Sequence, residues 1–208
     1  MRSYANYNNI AFFYDLLCKL VFGQKIKNAQ IHSLQYISSG SNILIVGGGT
    51  GWILEEIAKI HSFGLRIMYV DSSSKMIQLS KKRNIALNTI EFIHASIEDV
   101  DLSQQKYDVV LTPFLFDNFR QSTALSVFKK LNMSLKYGGY WLYIDFYISD
   151  KNKYQQKVVL KLMYIFFRSM CNIEANKLPY MADYFSSYKT ISNSYNCNNF
   201  IITQVFQK

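Results

Sequence analysis

Residues 42–60 read NILIVGGGTGWILEEIAKI and place a cluster of glycines between two apolar patterns. The segment NILIV carries no charge, which predicts a short buried strand, whereas WILEEIAKI repeats apolar residues at helical spacing. Because glycine has no side chain, the glycines at 47–49 and Gly51 permit a tight turn and a close approach of a ligand. Backbone amides at the start of a helix favour an electron-rich group. The stretch predicts a strand, a binding turn and a helix that begins near Trp52.

Short apolar strands alternate with longer amphipathic segments after this turn. The predicted strands are LRIMYV at 65–70, IEFIHA at 90–95, YDVVLTPF at 107–114 and GGYWLYIDF at 138–146, with predicted helices at 73–85 and 122–136. This alternation is typical of βαβ units and a parallel sheet, and the late segments YKTISNSYN and NFIITQVFQ predict antiparallel strands that close one edge. We therefore predict an α/β fold, a Rossmann-like doubly wound, mostly parallel seven-stranded sheet with an antiparallel edge strand.

An N-terminal helical cap precedes the predicted sheet. Residues 10–23 and 24–37 repeat apolar residues at three- and four-residue spacing, and Gly23 separates the two predicted helices. A chain of 208 residues fits one domain, and no linker interrupts it. We predict a single domain over 1–208, with the cap at 1–39, a cofactor-binding core at 40–148, and an acceptor-side helix with closing strands at 149–208.

Composition narrows the partners and the location. Residues 1–150 carry 15 Lys and Arg against 12 Asp and Glu, whereas residues 151–208 carry 8 against 2, so most of the net charge of +9 lies in the last quarter. Such a segment can face anionic lipid or simply solvent, and we expect no nucleic-acid partner. We expect a cytoplasmic protein, because no signal peptide or membrane-spanning run is visible. The cysteines and histidines have no spacing that predicts a metal site.

The residue after the second strand narrows the ligand. Asp71 follows LRIMYV, and since the first two strands of a doubly wound sheet are neighbours, its carboxylate can accept both hydroxyls of a ribose in the crevice. A pyrophosphate binder usually spaces its glycines as GxGxxG, but here the spacing is GxGxG. That spacing favours an adenosine-containing cofactor without phosphates. A purely structural glycine turn, and Asp71 as a helix cap, remain open.

The segments ILIVGGGTG, YVDSSSKMIQLSKK, FIHASIEDV, YDVVLTPFLFDNF and LKYGGYWLYIDF, in this order, resemble the successive motifs of class I S-adenosylmethionine-dependent methyltransferases. The resemblance covers about residues 40–148. The prelude YANYNNIAFFYDLLCKLVFGQKIK, with FDNF and GGYWLYIDF, looks most like the ubiquinone and menaquinone biosynthesis methyltransferases. The resemblance implies that S-adenosylmethionine is the cofactor and that its methyl group passes in line to a small-molecule acceptor, apolar if the narrower likeness holds.

The resemblance also implies roles for individual residues in binding this cofactor. The glycine turn would lie beneath the methionine part, Asp71 would hold the ribose, and a prelude tyrosine would close over the cofactor. The remaining positions would contact the adenine or lie beside the sulfonium. The residues implied are Tyr14, Gly47, Gly48, Gly49, Gly51, Asp71, Ser72, Met76, Ser96, Ile97, Thr112 and Pro113.

Two positions depart from the family's pattern. Ile45 and Ser96 stand where relatives usually have acidic residues, and a neutral hydroxyl makes a weaker bond to the adenine amino group than a carboxylate does. A non-catalytic or degenerate binder of an adenosyl ligand is therefore an alternative. The string LIVGGGTG also resembles spermidine synthases, but those enzymes carry an acidic pair after the fourth strand, where this chain offers only Asp117.

Methyl transfer requires little beyond geometry, because the sulfonium already activates the methyl group. An acceptor that ionises with difficulty also needs a general base. Asp117, Asp145 and Tyr147 follow or end the fourth and fifth strands, and none of the three stands out. The sequence leaves the catalytic residue unassigned.

A basic amphipathic helix is predicted over 151–171. Its apolar stripe includes Val158, Leu162, Ile165 and Phe166, and five lysines and arginines lie among these residues. A stripe this wide is more often packed in a core, which is the interpretation we favour. The alternative is that the helix lines an acceptor pocket and makes weak contact with an anionic membrane.

Overall fold

A computed structural model describes residues 5–208, so the first four residues of the predicted cap lie outside the described part. One sheet of seven strands forms the centre of the described part, in the order β3-β2-β1-β4-β5-β7-β6. The strands are β1 Asn42–Val46, β2 Phe63–Asp71, β3 Leu87–His94, β4 Tyr107–Pro113, β5 Leu135–Phe146, β6 Lys189–Asn196 and β7 Ile201–Gln207.

The first five strands are parallel, and β7 runs antiparallel to both β5 and β6. The predicted fold class is confirmed. Strand order reverses direction between β1 and β4, and a crevice opens at the carboxyl ends of strands at such a point. This crevice is where the polar strand ends of the sequence converge.

Helices cover both faces of the sheet. They are α1 Tyr14–Phe22, α2 Lys25–Ile31, α3 Trp52–Ile60, α4 Ser74–Ser80, α5 Gln121–Ser134 and α6 Lys153–Cys171. The N-terminal helices are present but shorter than predicted. Turns precede α1, a 3₁₀ helix follows α2, and Gly23 separates α1 from α2 with a φ of +60°.

The core has two layers because β1 is apolar on both faces. Ile43 and Ile45 belong to one buried cluster, together with residues of α2, α3 and α6, while Leu44 and Val46 belong to the other, with residues of α5. A strand buried on both faces is characteristic of a parallel sheet covered by helices. This layering buries both faces of β1 up to Val46, the residue before the glycine turn.

The structure corrects the favoured interpretation of the basic helix. The predicted stripe of α6 is exposed, and the helix instead buries Gln156, Leu160, Tyr164 and Cys171. The side chain of Gln156 accepts from Ser149 N at 2.7 Å and donates to Asn198 O at 3.0 Å, which fixes this face inward. Among residues 5–208, no helix combines the length and the apolar character needed to cross a bilayer.

Candidate active site

A cavity of about 330 Å³ lies at the carboxyl ends of β1, β2 and β4, beneath α1. Its wall brings together most of the residues that the sequence assigns to the cofactor. These are Tyr14, Gly47, Gly48, Gly49, Asp71, Ser72, Met76, Ser96, Ile97 and Pro113. Residues from distant parts of the chain therefore meet where the doubly wound topology predicts a ligand.

The glycines of the turn have different tasks. Gly49 has a φ of +63°, and a Cβ added there would meet no atom within 4 Å, so its free side faces open space. A Cβ on Gly48 would lie 2.5 Å from the ring of Tyr69, whose hydroxyl donates to Gly49 O at 2.9 Å. Gly48 permits this packing, whereas Gly49 permits a ligand to approach the backbone.

Gly51 and Thr112 are outside the cavity wall. Gly51 has a φ of +77°, and a Cβ there would lie 2.5 Å from Ser80 Cβ, so this glycine allows α3 to approach α4. Thr112 is fully buried and accepts a hydrogen bond from Trp141 Nε1 at 3.0 Å. Gly51 and Thr112 therefore contribute to the packing around the cavity and do not line it.

Asp71 is held at the edge of the cavity by backbone amides. Its Oδ2 accepts from Gly49 N at 3.1 Å, and its Oδ1 accepts from Ser73 N at 2.9 Å. Burial raises the pKa of Asp71 to about 6, although these two hydrogen bonds oppose the shift. The side-chain cap of α4 is Ser73, whose Oγ accepts from Met76 N at 3.2 Å. The carboxylate of Asp71 is thus a part of the cavity wall and not the helix cap.

A carboxylate lies beside Ser96, the residue that is predicted to contact the adenine. Glu98 lines the cavity, and its Oε2 accepts from Ser96 Oγ at 3.3 Å. Glu98 is not among the predicted site residues, because the family's pattern points to position 96. The acidic residue two positions later, in the string ASIED, was the available signal.

The segment before α1 and α1 itself form a cover over the cavity. Tyr7 lines the cavity, packs edge to face against Tyr14 with ring centroids 5.8 Å apart, and donates to Asn118 Oδ1 at 2.5 Å. Asp15 accepts from Thr50 Oγ1 at 2.8 Å, and Arg83 Nη2 lies 3.1 Å from the same carboxylate. These bonds fasten the cover to the strand ends. Tyr7, Asp15 and Asn118 had no sequence signal, because their meeting depends on the fold.

None of the three candidate bases lines the cavity. Asp145 accepts from Phe116 N at 3.2 Å and from Phe146 N at 2.8 Å, so it ties the turn after β4 to β5. Burial raises the pKa of Asp145 to about 7, and burial together with the charge of Asp145 raises the pKa of Asp117 well above its ordinary value. Tyr147 packs against the ring of Tyr195, 5.3 Å away. Asp145 is buried and Asp117 half-buried, and we call these two interacting carboxyls the acid pair.

Residues 43–139 match the family model of a methyltransferase domain. The match covers just under half of the chain and supports a methyltransferase domain there. The predictions of a class I S-adenosylmethionine-dependent methyltransferase and of its cofactor are confirmed. No curated protein matches the sequence significantly.

Solved structures resemble this methyltransferase in fold at low identity. A chain of the complex between the Haloferax volcanii Trm112 methyltransferase activator and a candidate methyltransferase has a TM-score of 0.69 at 12% identity, with 99% of each chain covered. A methyltransferase from Aquifex aeolicus that depends on S-adenosylmethionine has a TM-score of 0.61 at 13% identity, over 92% of this chain and 96% of that one. The 1,6-didemethyltoxoflavin-N1-methyltransferase of Burkholderia thailandensis, with bound 1,6-didemethyltoxoflavin and S-adenosylhomocysteine, has a TM-score of 0.63 at 10% identity, over 96% and 84%.

Proposed function

We propose that this methyltransferase transfers the methyl group of S-adenosylmethionine to a small, apolar acceptor held under the cover formed by α1. The observation that carries the proposal is the meeting of the glycine turn, Asp71 and Glu98 in the wall of one cavity. An adenosyl cofactor without phosphates requires three contacts. Its methionine part must approach the backbone closely, one protein oxygen must accept hydrogen bonds from the ribose hydroxyls, and another must accept from the adenine amino group.

Within the proposed site, Gly47 to Gly49 bind the methionine part, and Asp71 accepts from the ribose. Glu98 accepts from the adenine amino group, which supplies the charge-assisted bond that Ser96 cannot make. Tyr14 covers the cofactor, and Pro113 lies beside the sulfonium. The adenine ring packs between Ser72, Met76 and Ile97. Gly51 and Thr112 contribute by holding α3 and β4 in place.

The acceptor side of the wall supports an apolar substrate. Cys18, Ile26, Phe114 and Leu115 give the cavity wall apolar surface. A site of this kind works by holding the nucleophile and the methyl group in line while excluding water. Because Asp117 and Asp145 are outside the wall, neither is the general base in this proposal. The toxoflavin methyltransferase, a structural neighbour, acts on a small molecule as well.

Titration calorimetry with S-adenosylmethionine and S-adenosylhomocysteine tests binding, and release of S-adenosylhomocysteine on addition of apolar phenols or amines tests transfer. We expect binding of both cofactor forms and acceptor-dependent release. Binding without release for any acceptor would favour the non-catalytic alternative. Failure to bind either form would overturn the assigned site.

The site residues and the small-molecule acceptor are part of this proposal, and four further sequence expectations also stay predictions. They are the narrower likeness to quinone-pathway methyltransferases, the cytoplasmic location, the single domain with its divisions at residues 39 and 148, and the contact with an anionic membrane.

A further inference from the structure

The side of α6 opposite the core is an exposed apolar ridge. Val158 and Leu162 are 60% and 62% exposed, and Ile165 and Tyr154 are also largely in solvent. These positions recur at three- and four-residue spacing, so they form one continuous stripe along the helix. Soluble monomers rarely expose contiguous apolar surface of this kind unless it binds something.

A second exposed apolar stripe lies on α1 and the turn before it. Phe12, Leu16 and Leu20 follow one another at four-residue spacing and are 74%, 58% and 75% exposed. No residue of α1 is buried. The helix therefore covers the cavity with one side while it offers apolar side chains to the solvent on the other.

The two stripes belong to one part of the molecule. Asn6 N donates to Cys171 O at 2.7 Å, and the ring of Tyr7 packs against Phe167 at 5.8 Å, so the segment entering α1 is bound to the end of α6. Both helices also contribute to the same core cluster. We call the exposed apolar residues of the two helices the α1–α6 surface; they are Phe12, Leu16, Leu20 and Val21, with Tyr154, Val158, Leu162, Ile165 and Phe166.

The charges around this surface identify its occupant. Lys157, Lys161 and Arg168 are spaced four and seven residues apart and form a row along one side of the ridge. Among residues 5–208, the ion pairs include none of these three cations. Helix α6 contains no acidic residue. Protein interfaces are depleted in lysine, whereas helices with an apolar stripe beside lysines bind anionic lipid.

We propose that the α1–α6 surface docks on an anionic lipid bilayer and that the acceptor enters the cavity from it. Leu16 belongs both to the cavity wall and to the exposed stripe, so the cavity opens at the docking surface. An apolar acceptor dissolved in lipid then reaches the methyl group without crossing water. This second part rests on the proposed function, whereas the docking itself does not.

Co-sedimentation of the full chain with vesicles tests the docking. We expect binding at low salt to mixed phosphatidylglycerol and phosphatidylcholine vesicles, release at high salt, and little binding to phosphatidylcholine alone, because screening weakens surface charge interactions. The triple variant Lys157→Glu, Lys161→Glu, Arg168→Glu should reduce partitioning by at least roughly 100-fold, since each basic residue near such a surface contributes about a fivefold change. The variant Val158→Ser, Leu162→Ser, Ile165→Ser should also lose binding and stay folded, because these side chains are exposed.

Matched variants elsewhere separate this surface from net charge and general hydrophobicity. Lys106→Glu, Lys129→Glu, Lys189→Glu reverses as many exposed charges on other elements, and Leu87→Ser with Met133→Ser removes exposed apolar side chains. Both controls should bind vesicles within about threefold of the wild type. The proposal is overturned if the wild type does not bind anionic vesicles at low salt, or if the control variants lose as much vesicle binding as the α6 variants. It is also overturned if the wild type is a dimer that does not bind vesicles and that the α6 serine variant dissociates. Calorimetry with S-adenosylmethionine distinguishes the two proposals. If the α6 variants still bind the cofactor, their loss of vesicle binding concerns the α1–α6 surface alone. If the wild type does not bind the cofactor, that result contradicts only the proposed cofactor site.

Discussion

Asp71 and Asp145 occupy equivalent places at the carboxyl ends of two strands and differ in what they face. Each accepts hydrogen bonds from two backbone amides, and burial raises the pKa of each. Asp71 lines the cavity, whereas Asp145 lies outside the wall beside Asp117. A carboxylate at a strand end can therefore bind a ligand when it faces a cavity, or only hold neighbouring backbone in place when it does not. The residue type alone does not reveal which of these applies.

The largest expected effect separates the two aspartates by cofactor affinity. If Asp71 holds the ribose as proposed, Asp71→Ala removes two charge-assisted bonds, so binding of S-adenosylmethionine should weaken by about 3 kcal/mol or more. Asp145→Ala should leave the affinity of the folded protein within about 0.5 kcal/mol, because Asp145 lies outside the cavity wall and would make no contact with the cofactor. Calorimetry on both variants, with thermal unfolding as the check of folding, decides between them. Equal losses of affinity would contradict this division between a carboxylate that binds a ligand and one that only holds the backbone.

A substitution in the glycine turn should have the next largest effect. Gly49→Val places a branched side chain in the open space where the cofactor would approach, and it also strains the backbone at positive φ. The affinity for S-adenosylmethionine should therefore fall by about 2 kcal/mol or more. Gly40→Val is the matched control, since Gly40 has a φ of +77° with equally open surroundings away from the cavity. Both variants should lose similar stability in denaturant unfolding. An unchanged affinity in folded Gly49→Val would remove the turn from the site.

The pH dependence of the free energy of unfolding tests the raised pKa of Asp145. The pKa of Asp145 rises from 3.8 to about 7 on folding, so the folded state holds a proton that the unfolded chain has released. This group's contribution to the free energy of unfolding is complete below about pH 4 and declines as the pH rises to about 7, by up to about 1.4 kcal/mol per unit.

Urea unfolding between these pH values measures the decline. In Asp145→Asn the decline should be smaller, because one of the raised groups is gone. Asp108→Asn is the control: the pKa of Asp108 is lowered, through its bond to Lys136 and despite partial burial, so its removal should leave the decline in place. A wild type whose stability rises steadily over this range would refute the raised pKa values of the acid pair.

The smallest expected effect concerns the adenine end. Glu98→Gln replaces a charge-assisted bond by a neutral one, so the affinity for S-adenosylmethionine should fall by about 1 kcal/mol. Glu91→Gln, an exposed change on β3, should have no effect on binding. If Glu98→Gln binds as tightly as the wild type, Ser96 alone serves the adenine, and Glu98 is only its hydrogen-bond partner.

Much of the site could be predicted because local patterns carry it. Asp71 and the glycines come at the ends of short, mostly apolar strands, so their place at the sheet's carboxyl edge follows from the alternation of strands and helices. Tyr7 and Asn118 are 111 residues apart and meet through a single hydrogen bond at 2.5 Å. Such a contact leaves no periodic trace in the sequence, so no pattern could predict it.

The sequence by itself determined the order of strands and helices, the glycine turn and the polar residues at the strand ends, because backbone conformation and the alternation of apolar residues are local properties. Tertiary structure alone decided which surfaces became interior. The apolar stripe of α6 predicts a core helix, yet Gln156 bonds to Ser149 and to Asn198 O and turns another face inward. The same applies to Asp71 and Asp145, since packing leaves a cavity in front of Asp71, whereas Asp145 is buried and bonds to Phe116 N and Phe146 N.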